Sequence, residues 1–259
     1  MKRSGVLLTV AVMLCAVGAS RPAAALGDSL ACGETTTINV NGEKTLRMWR
    51  SYDKGAWLNV SVGESLGGRC PLNAINDVFI TVGDPSGLFT DTASQTVVFD
   101  LSGGPFGPGK TRERTGTSEI EFNMHLGANE DRITVIGSNR ADVIRVGASG
   151  ISFNGDGDRD VNAGGFEVVS IEGRGGNDRI GANGGIGTGK AFSGAATLDG
   201  GSGNDIIYGG AGVDGLYGGS GDDVVYARDG KRDHVYGQSG YDKARLDGSD
   251  RRYSIERRI

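Results

Sequence analysis

Three nine-residue blocks stand head to tail between Gly200 and Tyr226. The first reads Gly200-Gly201-Ser202-Gly203-Asn204-Asp205-Ile206-Ile207-Tyr208. Gly209 to Tyr217 and Gly218 to Tyr226 repeat it, with glycine at positions one, two and four, aspartate at six and an aliphatic residue at eight. A tandem period of this length dictates a stacked architecture, because one repeat has no core of its own and buries its apolar side only against the next. Looser copies flank the block. Gly173 to Gly181 keeps Asp178 and Ile180 in phase, Gly237 to Arg245 keeps Asp242 and Ala244, and Ala227 to Tyr236 is a ten-residue copy centred on Asp233. Upstream, Asp142, Asp160 and Asp178 recur 18 residues apart, and Asp178 to Asp205 spans 27. The reading is one continuous solenoid from Leu126 to Arg245 whose early turns have lost most of the motif.

The residue types point to a hard cation. Calcium takes six to eight oxygens in flexible geometry. Glycines such as Gly201, Gly203, Gly210, Gly212, Gly219 and Gly221 let the backbone turn tightly and aim carbonyls inward. Asp178, Asp205, Asp214, Asp223 and Asp242 supply charge on a short stem. Residues 173–250 hold eleven Asp and no Glu, which fits a loop too tight for the longer acid. A second candidate is the acidic turn Asp156-Gly157-Asp158-Arg159-Asp160, with Glu167 twelfth, which has EF-hand spacing but Val161 where that loop needs glycine.

Gly-Gly-x-Gly-x-Asp-x-aliphatic-x in tandem resembles the RTX, or hemolysin-type, calcium-binding repeat. The longer pattern also looks like a group of secreted bacterial calcium-binding proteins, in which a stretch like Asp100-Leu101-Ser102-Gly103-Gly104-Pro105-Phe106 precedes a weak solenoid and then the nonapeptides. The resemblance implies a parallel β-roll with calcium between its loops and implies no catalytic activity. In such a roll a nonapeptide makes half a turn, so loops alternate between two edges and same-edge neighbours are 18 residues apart. Asp205 and Asp223 then share an edge that Asp242 extends. Asp214 lies on the other edge beside Asp233, whose ten-residue copy casts doubt on its site. Position eight (Ile207, Leu216, Val225) points inward, and the tyrosines at position nine form ladders on the sheet faces. A roll this thin buries little and crowds its carboxylates, so folding is expected to be coupled to calcium.

The fold class expected is all-β, a parallel β-roll or β-solenoid preceded by a β-rich N-terminal region. Residues 1–25 read as an export signal: Lys2 and Arg3, an apolar run from Gly5 to Ala19, then Ala23-Ala24-Ala25. That run is too short for a comfortable span, and no later segment suggests a membrane helix. Residues 26–115 form the N-terminal region, 116–197 the degenerate solenoid, 198–248 the calcium roll and 249–259 a cap. Whether the N-terminal region is a separate domain or the solenoid's first turns is open from sequence. Its alternating runs predict strands, with a hairpin at Asn41-Gly42 between Ile38/Val40 and Leu46/Met48. Cys32 and Cys70 are the even pair left without the signal, and a disulfide is expected in an oxidising compartment.

Without residues 1–25 the chain has 24 basic and 32 acidic residues, a net charge of −8 that argues against a nucleic-acid partner and suits cations. Calcium ions are the expected partners, with a cell-surface or extracellular polymer as a second. Catalysis is not expected. The Gly27-Asp28-Ser29-Leu30 run lacks the strand before it and the Asp-x-x-His that such a nucleophile needs, since Lys231 precedes His234 at that spacing. Gly184 to Lys190 imitates a phosphate loop, but Ala191 replaces the hydroxyl residue. The arginines at 251, 252, 257 and 258 read as a charged cap against edge-to-edge pairing.

Overall fold

A computed structural model describes residues 29–33, 35–40, 45–52, 55–82, 94–106, 119–126, 129–156, 158–185 and 187–259. The export-signal segment, Gly27-Asp28 and the Asn41-Gly42 turn lie outside the described residues.

The described chain is nearly all strand. The strands begin with β1 (Ser29–Ala31), β2 (Thr35–Val40), β3 (Thr45–Tyr52), β4 (Ala56–Val62), β5 (Ser65–Pro71), β6 (Asp77–Val82), β7 (Thr96–Asp100) and β8 (Glu121–His125). The middle holds β9 (Arg132–Ile136), β10 (Val143–Gly147), β11 (Gly150–Ser152), β12 (Val161–Gly164), β13 (Val168–Glu172), β14 (Arg179–Gly181) and β15 (Ala195–Ser202). The repeats supply β16 (Ile206–Tyr208), β17 (Gly215–Ser220), β18 (Val224–Ala227), β19 (His234–Ser239), β20 (Lys243–Leu246), β21 (Arg251–Tyr253) and β22 (Arg257–Arg258).

They form two mostly parallel sheets. One runs β1-β2-β6-β8-β12-β11-β10-β14-β16-β18-β20-β22 and the other β21-β19-β17-β15-β13-β9-β7-β3-β4-β5. In the repeats the chain alternates between the sheets, so each nonapeptide is half a coil. The N-terminal strands pair into the same two sheets: β2 with β6 and β6 with β8 in one, β3 with β7 and β7 with β9 in the other, all parallel.

The expected hairpin between β2 and β3 is corrected by this topology. Alternation in both strands is real, but β2 pairs with β1 and β6 and β3 with β4 and β7, in different sheets. Ile38 of β2 and Leu46 and Met48 of β3 are buried, each strand within its own sheet. Antiparallel pairs occur instead at β3-β4-β5, at β10-β11-β12 and between β1 and β2. The first pads the N-terminal end, where the disulfide Cys32–Cys70 ties β5 to the segment after β1.

The core is made of rows that run across the strands. On one sheet Ile144, Ile180, Ile207, Val225 and Ala244 are in register, and on the other Met48, Phe99, Val135, Ile171, Leu198, Leu216 and Val235. All of them are buried, and the position-eight residues Ile207, Leu216 and Val225 have no exposed surface. Each such side chain contributes about 1.5–3 kcal/mol by leaving water. The N-terminal half is thicker, because Phe99, Phe106, Phe122 and Phe153 pack edge-on or tilted with centroids 5.0–6.2 Å apart. The roll ends in charge. Arg252 and Arg258 occupy the inward register positions after Val235 and Ala244. An inward charge at a terminal strand disfavours a further strand or a second copy stacking there.

Candidate metal centre

At each edge of the roll the chain turns from one sheet to the other, and the aspartates of position six line these edges. Along the first edge the carboxylates reach backward from coil to coil. Asp178 Oδ1 accepts the backbone N–H of Asp142 at 2.8 Å, Asp205 that of Asp178 at 2.7 Å, Asp223 that of Asp205 at 2.8 Å, and Asp242 that of Asp223 at 2.9 Å. Glu256 closes the row on Asp242 N–H at 2.7 Å. On the second edge Asp214 accepts from Ala196, Asp233 from Asp214 and Asp250 from Asp233, at 2.9, 2.9 and 3.1 Å. The row separations within the repeats are 18 or 19 residues. The value of 19 absorbs the extra residue of the Ala227–Tyr236 copy, which is taken up in the exposed run 228–232.

These carboxylates are buried: Asp178, Asp205, Asp214, Asp223, Asp233 and Asp242 are each at most 2% exposed. One oxygen serves the row. The other, Oδ2, has no hydrogen-bond donor in Asp178, Asp205, Asp223, Asp233 and Asp242. A buried carboxylate oxygen without a donor is costly, and it is the oxygen a cation would take. Asp214 differs, because its Oδ2 accepts the Gly210 N–H at 2.6 Å. Asp233 has the same geometry as the first-edge aspartates despite its ten-residue repeat.

The glycines explain how the coils come so close. Gly203 and Gly221 have φ of +128° and +125°. A Cβ at Gly203 would overlap the Gly176 carbonyl oxygen, and one at Gly221 the Gly203 carbonyl oxygen. On the first edge Gly201 and Gly219 also turn through positive φ, at +93° and +108°. On the second edge Gly210 and Gly212 do not take positive φ. They are held by crowding, with Gly212 against the Gly194 carbonyl and Gly210 against that of Phe192.

Burial, first, and then neighbouring carboxylates push the pKa of Asp178, Asp223 and Asp233 up to about 7. Burial also raises Asp205, Asp214, Asp242 and Asp250. Adjacent acids that resist ionising are the electrostatic counterpart of a missing positive charge. The donor set is all oxygen, as calcium requires. Among the described residues no three His, Cys, Asp or Glu side chains converge on one point. An ion held in the rows would therefore draw much of its coordination from backbone carbonyls beside the aspartates.

The acidic turn is dispersed. Asp156 accepts from Asn154 Nδ2 at 3.0 Å and from Asp158 N–H at 3.4 Å. Asp160 is buried, its Oδ2 accepts the Phe153 N–H at 2.6 Å, and burial followed by the Glu119 carboxyl pushes its pKa up to about 9. Glu167 sits beyond β12, at the other edge, where its Oε2 accepts the Asp131 N–H at 2.8 Å. The strand between them carries the chain across the roll, so EF-hand spacing does not become EF-hand geometry. The 18-residue rhythm is broken at the same place, because β11 lies between Asp160 and Asp142.

The Gly184–Lys190 run leads into no helix. Its Thr188 and Lys190 carbonyls accept the Ser149 and Ala148 N–H groups, which clamps it over the β10–β11 turn. His125 ends β8 and His234 begins β19. Sequence reading missed a second ladder at position five: Asn177 Oδ1 accepts from Asn204 N, Asn204 Oδ1 from Asp222 N and Asp222 Oδ1 from Tyr241 N, each at 2.9 Å. Asn177, Asn204 and Asp222, directly before Asp178, Asp205 and Asp223, were its signal. Asp131, Asp250 and Glu256 were missed because no glycine motif surrounds them.

Residues 191–225 and 216–244 match the family model described as RTX calcium-binding nonapeptide repeat (4 copies). Residues 191–244 are thus calcium-binding repeats of the RTX type, on an all-β roll. No curated protein and no solved structure matches the chain. Among the described residues no helix is long and apolar enough to cross a membrane.

Proposed function

We propose that this is a secreted, non-catalytic protein whose roll is completed by calcium outside the cell, and that its role is structural or adhesive, toward a cell-surface or extracellular polymer. The observation that carries the reading is the first-edge row, in which four successive aspartates each keep one buried oxygen without a donor. Asp178, Asp205, Asp223 and Asp242 would hold the ions together with glycine carbonyls of the same loops, and Asp233 would do so on the second edge. Bound calcium supplies the positive charge that relieves repulsion along the row. The residues themselves set the register, exclude water from the carboxylates and fix the distance between coils. The export-like N-terminus and the Cys32–Cys70 disulfide support an oxidising, calcium-rich destination.

The test is a calcium titration of the chain from chelator, followed by far-ultraviolet circular dichroism and calorimetry, with magnesium as control. The expected result is a calcium-specific gain of β signal with measurable binding, weakened when Asp205 and Asp223 are both changed to Ala. No heat and no spectral change on adding calcium would reject the reading.

A further inference from the structure

The position-nine tyrosines form two ladders on opposite outer faces, and the ladders end differently. Tyr208 and Tyr226 stack at 4.7 Å, and the Arg179 guanidinium lies 4.8 Å from the Tyr208 centroid, on the side away from Tyr226. On the other sheet Tyr217, Tyr236 and Tyr253 stack at 4.9 and 4.7 Å. The remaining face of Tyr217 looks toward β15. There its register neighbour is Asp199, with Glu172 beyond it on β13. Other aromatic rings of the chain carry a cation of the chain: Arg50 over Tyr52, Arg69 over Trp57 and Lys243 over Tyr241. Among the described residues no cation of the chain lies over Tyr217.

Beside this bare face is a groove of about 480 Å³, lined by Glu172, Asp199, Thr197 and Tyr217, with Arg174 and Gln238 toward the roll edge. It is open for a local reason. Gly201 and Gly219, which carry no side chain, stand between Arg174 and Gln238 in the column of second repeat positions. Arg174 and Gln238 take φ of 72° and 71° there. Neither Glu172 nor Asp199 forms an ion pair among the described residues. Two carboxylates side by side on adjacent strands repel each other, and Arg174 at the groove's edge forms an ion pair with neither, so the pair has room for a further positive charge.

We propose that this groove binds the guanidinium group of an arginine presented by a partner polypeptide. The planar cation stacks on the free face of Tyr217 and its fork of N–H groups donates to Asp199 and Glu172, repeating between two chains what Arg179 and Tyr208 do within one. A guanidinium suits the place better than an ammonium, because a flat cation alone can lie on the ring and face both carboxylates. Arg174 and Gln238 offer donors to the carbonyls of the peptide that carries it. The site is on an outer sheet face and does not depend on the calcium reading.

The experiment is a titration of the calcium-loaded full chain with acetyl-Gly-Arg-Gly-amide, followed by amide chemical shifts in nuclear magnetic resonance. The neutral citrulline peptide of the same shape is the comparison. Saturable shifts centred on Glu172, Asp199 and Tyr217 are expected, with the citrulline peptide about tenfold weaker or more, the effect of losing one charge-assisted contact. Glu172→Gln with Asp199→Asn, and separately Tyr217→Leu, should each weaken binding by about tenfold, while Tyr253→Leu at the far end of the ladder leaves it unchanged. The proposal is overturned by the absence of saturable shifts at these residues or by equal binding of the citrulline peptide. It is overturned equally if Tyr253→Leu weakens binding as much as Tyr217→Leu, because the ladder and not its bare face would then be the cause.

Discussion

Changing Asp223 to Asn should stabilise the protein in one solvent and destabilise it in another. Asp223 Oδ1 holds the Asp205 N–H at 2.8 Å, a bond the amide oxygen of Asn can keep. Its Oδ2 is buried without a donor, and burial with Asp205, Asp242 and Asp222 nearby raises its pKa from 3.8 to about 7. Each pKa unit corresponds to about 1.36 kcal/mol, so the ionised carboxylate of the metal-free roll is disfavoured by at most about 4 kcal/mol. Solvent reaching the loop past the exposed Ser220 and Asp222 screens this, and about 1–2 kcal/mol is the expected gain on neutralising the group at pH 8 in chelator. Between about pH 4 and 7 the folded carboxyl keeps a proton that the unfolded chain has released. Metal-free stability therefore falls as pH rises from about 4 towards 7 and levels off above it, and at about pH 3.5, where the unfolded chain also keeps the proton, the variant and the parent should agree to within about 0.5 kcal/mol. With calcium at a hundred times its dissociation constant the sign reverses, because one bound ion contributes about 2.7 kcal/mol, and losing nearly all of it outweighs the gain of about 1–2 kcal/mol on neutralisation. Urea unfolding at pH 8 and about pH 3.5, each with chelator and with calcium, gives the four numbers. A variant destabilised equally in chelator and in calcium would refute the reasoning, because Asp223 would then be only a hydrogen-bond acceptor.

Three further outcomes are expected. Leu216→Ala removes a fully buried member of the core row and should cost about 2–5 kcal/mol by urea unfolding, in calcium and in chelator alike. Gly221→Ala combines a φ of +125° with overlap on the Gly203 carbonyl, and should cost about 2 kcal/mol or more and weaken calcium binding by calorimetry. Replacing Cys32 and Cys70 by Ser opens a cross-link of sequence separation 38 and should lower stability by about 2–4 kcal/mol, read in thermal melts as an earlier transition, without changing calcium affinity.

The roll was legible where the chemistry repeats. The glycine–aspartate period of nine carries the resemblance to a β-roll, and the half-turn per nonapeptide that this implies put Ile207, Leu216 and Val225 in the core and divided the loops between two edges. Legibility failed where an insertion replaces a coil. Nothing in the alternation of β3 says whether its neighbour is the next strand or the next coil, since both arrangements bury every second residue. The β10-β11-β12 insertion likewise kept the 18-residue spacing of Asp142, Asp160 and Asp178 while putting β11 between the first two. The glycine-rich run after β14 looked like a worn repeat and is a loop clamped over the β10–β11 turn. Spacing along the chain cannot distinguish a coil from a loop of equal length.

The rows also give the acids a role in turns that lack the glycine motif. Asp178 Oδ1 bonds to the N–H of Asp142 across 36 residues, and Glu167 to that of Asp131 across 36, and neither Asp142 nor Asp131 lies in a nonapeptide. In these places the carboxylate fixes the register of one coil on the next through a charge-assisted hydrogen bond, worth about 1.5–3 kcal/mol, with no ion needed. The nonapeptide adds only what an ion requires: glycines that bring carbonyls to the second oxygen. Calcium binding is then a use of one atom of a side chain whose other atom already holds the solenoid together. At Asp142, outside any nonapeptide, the second oxygen is taken by the Ser138 N–H at 2.6 Å and hydroxyl at 3.0 Å. Asp214 stands between the two conditions, since its repeat is complete and yet the Gly210 N–H satisfies its second oxygen. On this logic an ion at Asp214 must displace a hydrogen bond that the first-edge aspartates and Asp233 do not have, and the Asp214 site should fill after theirs as calcium rises.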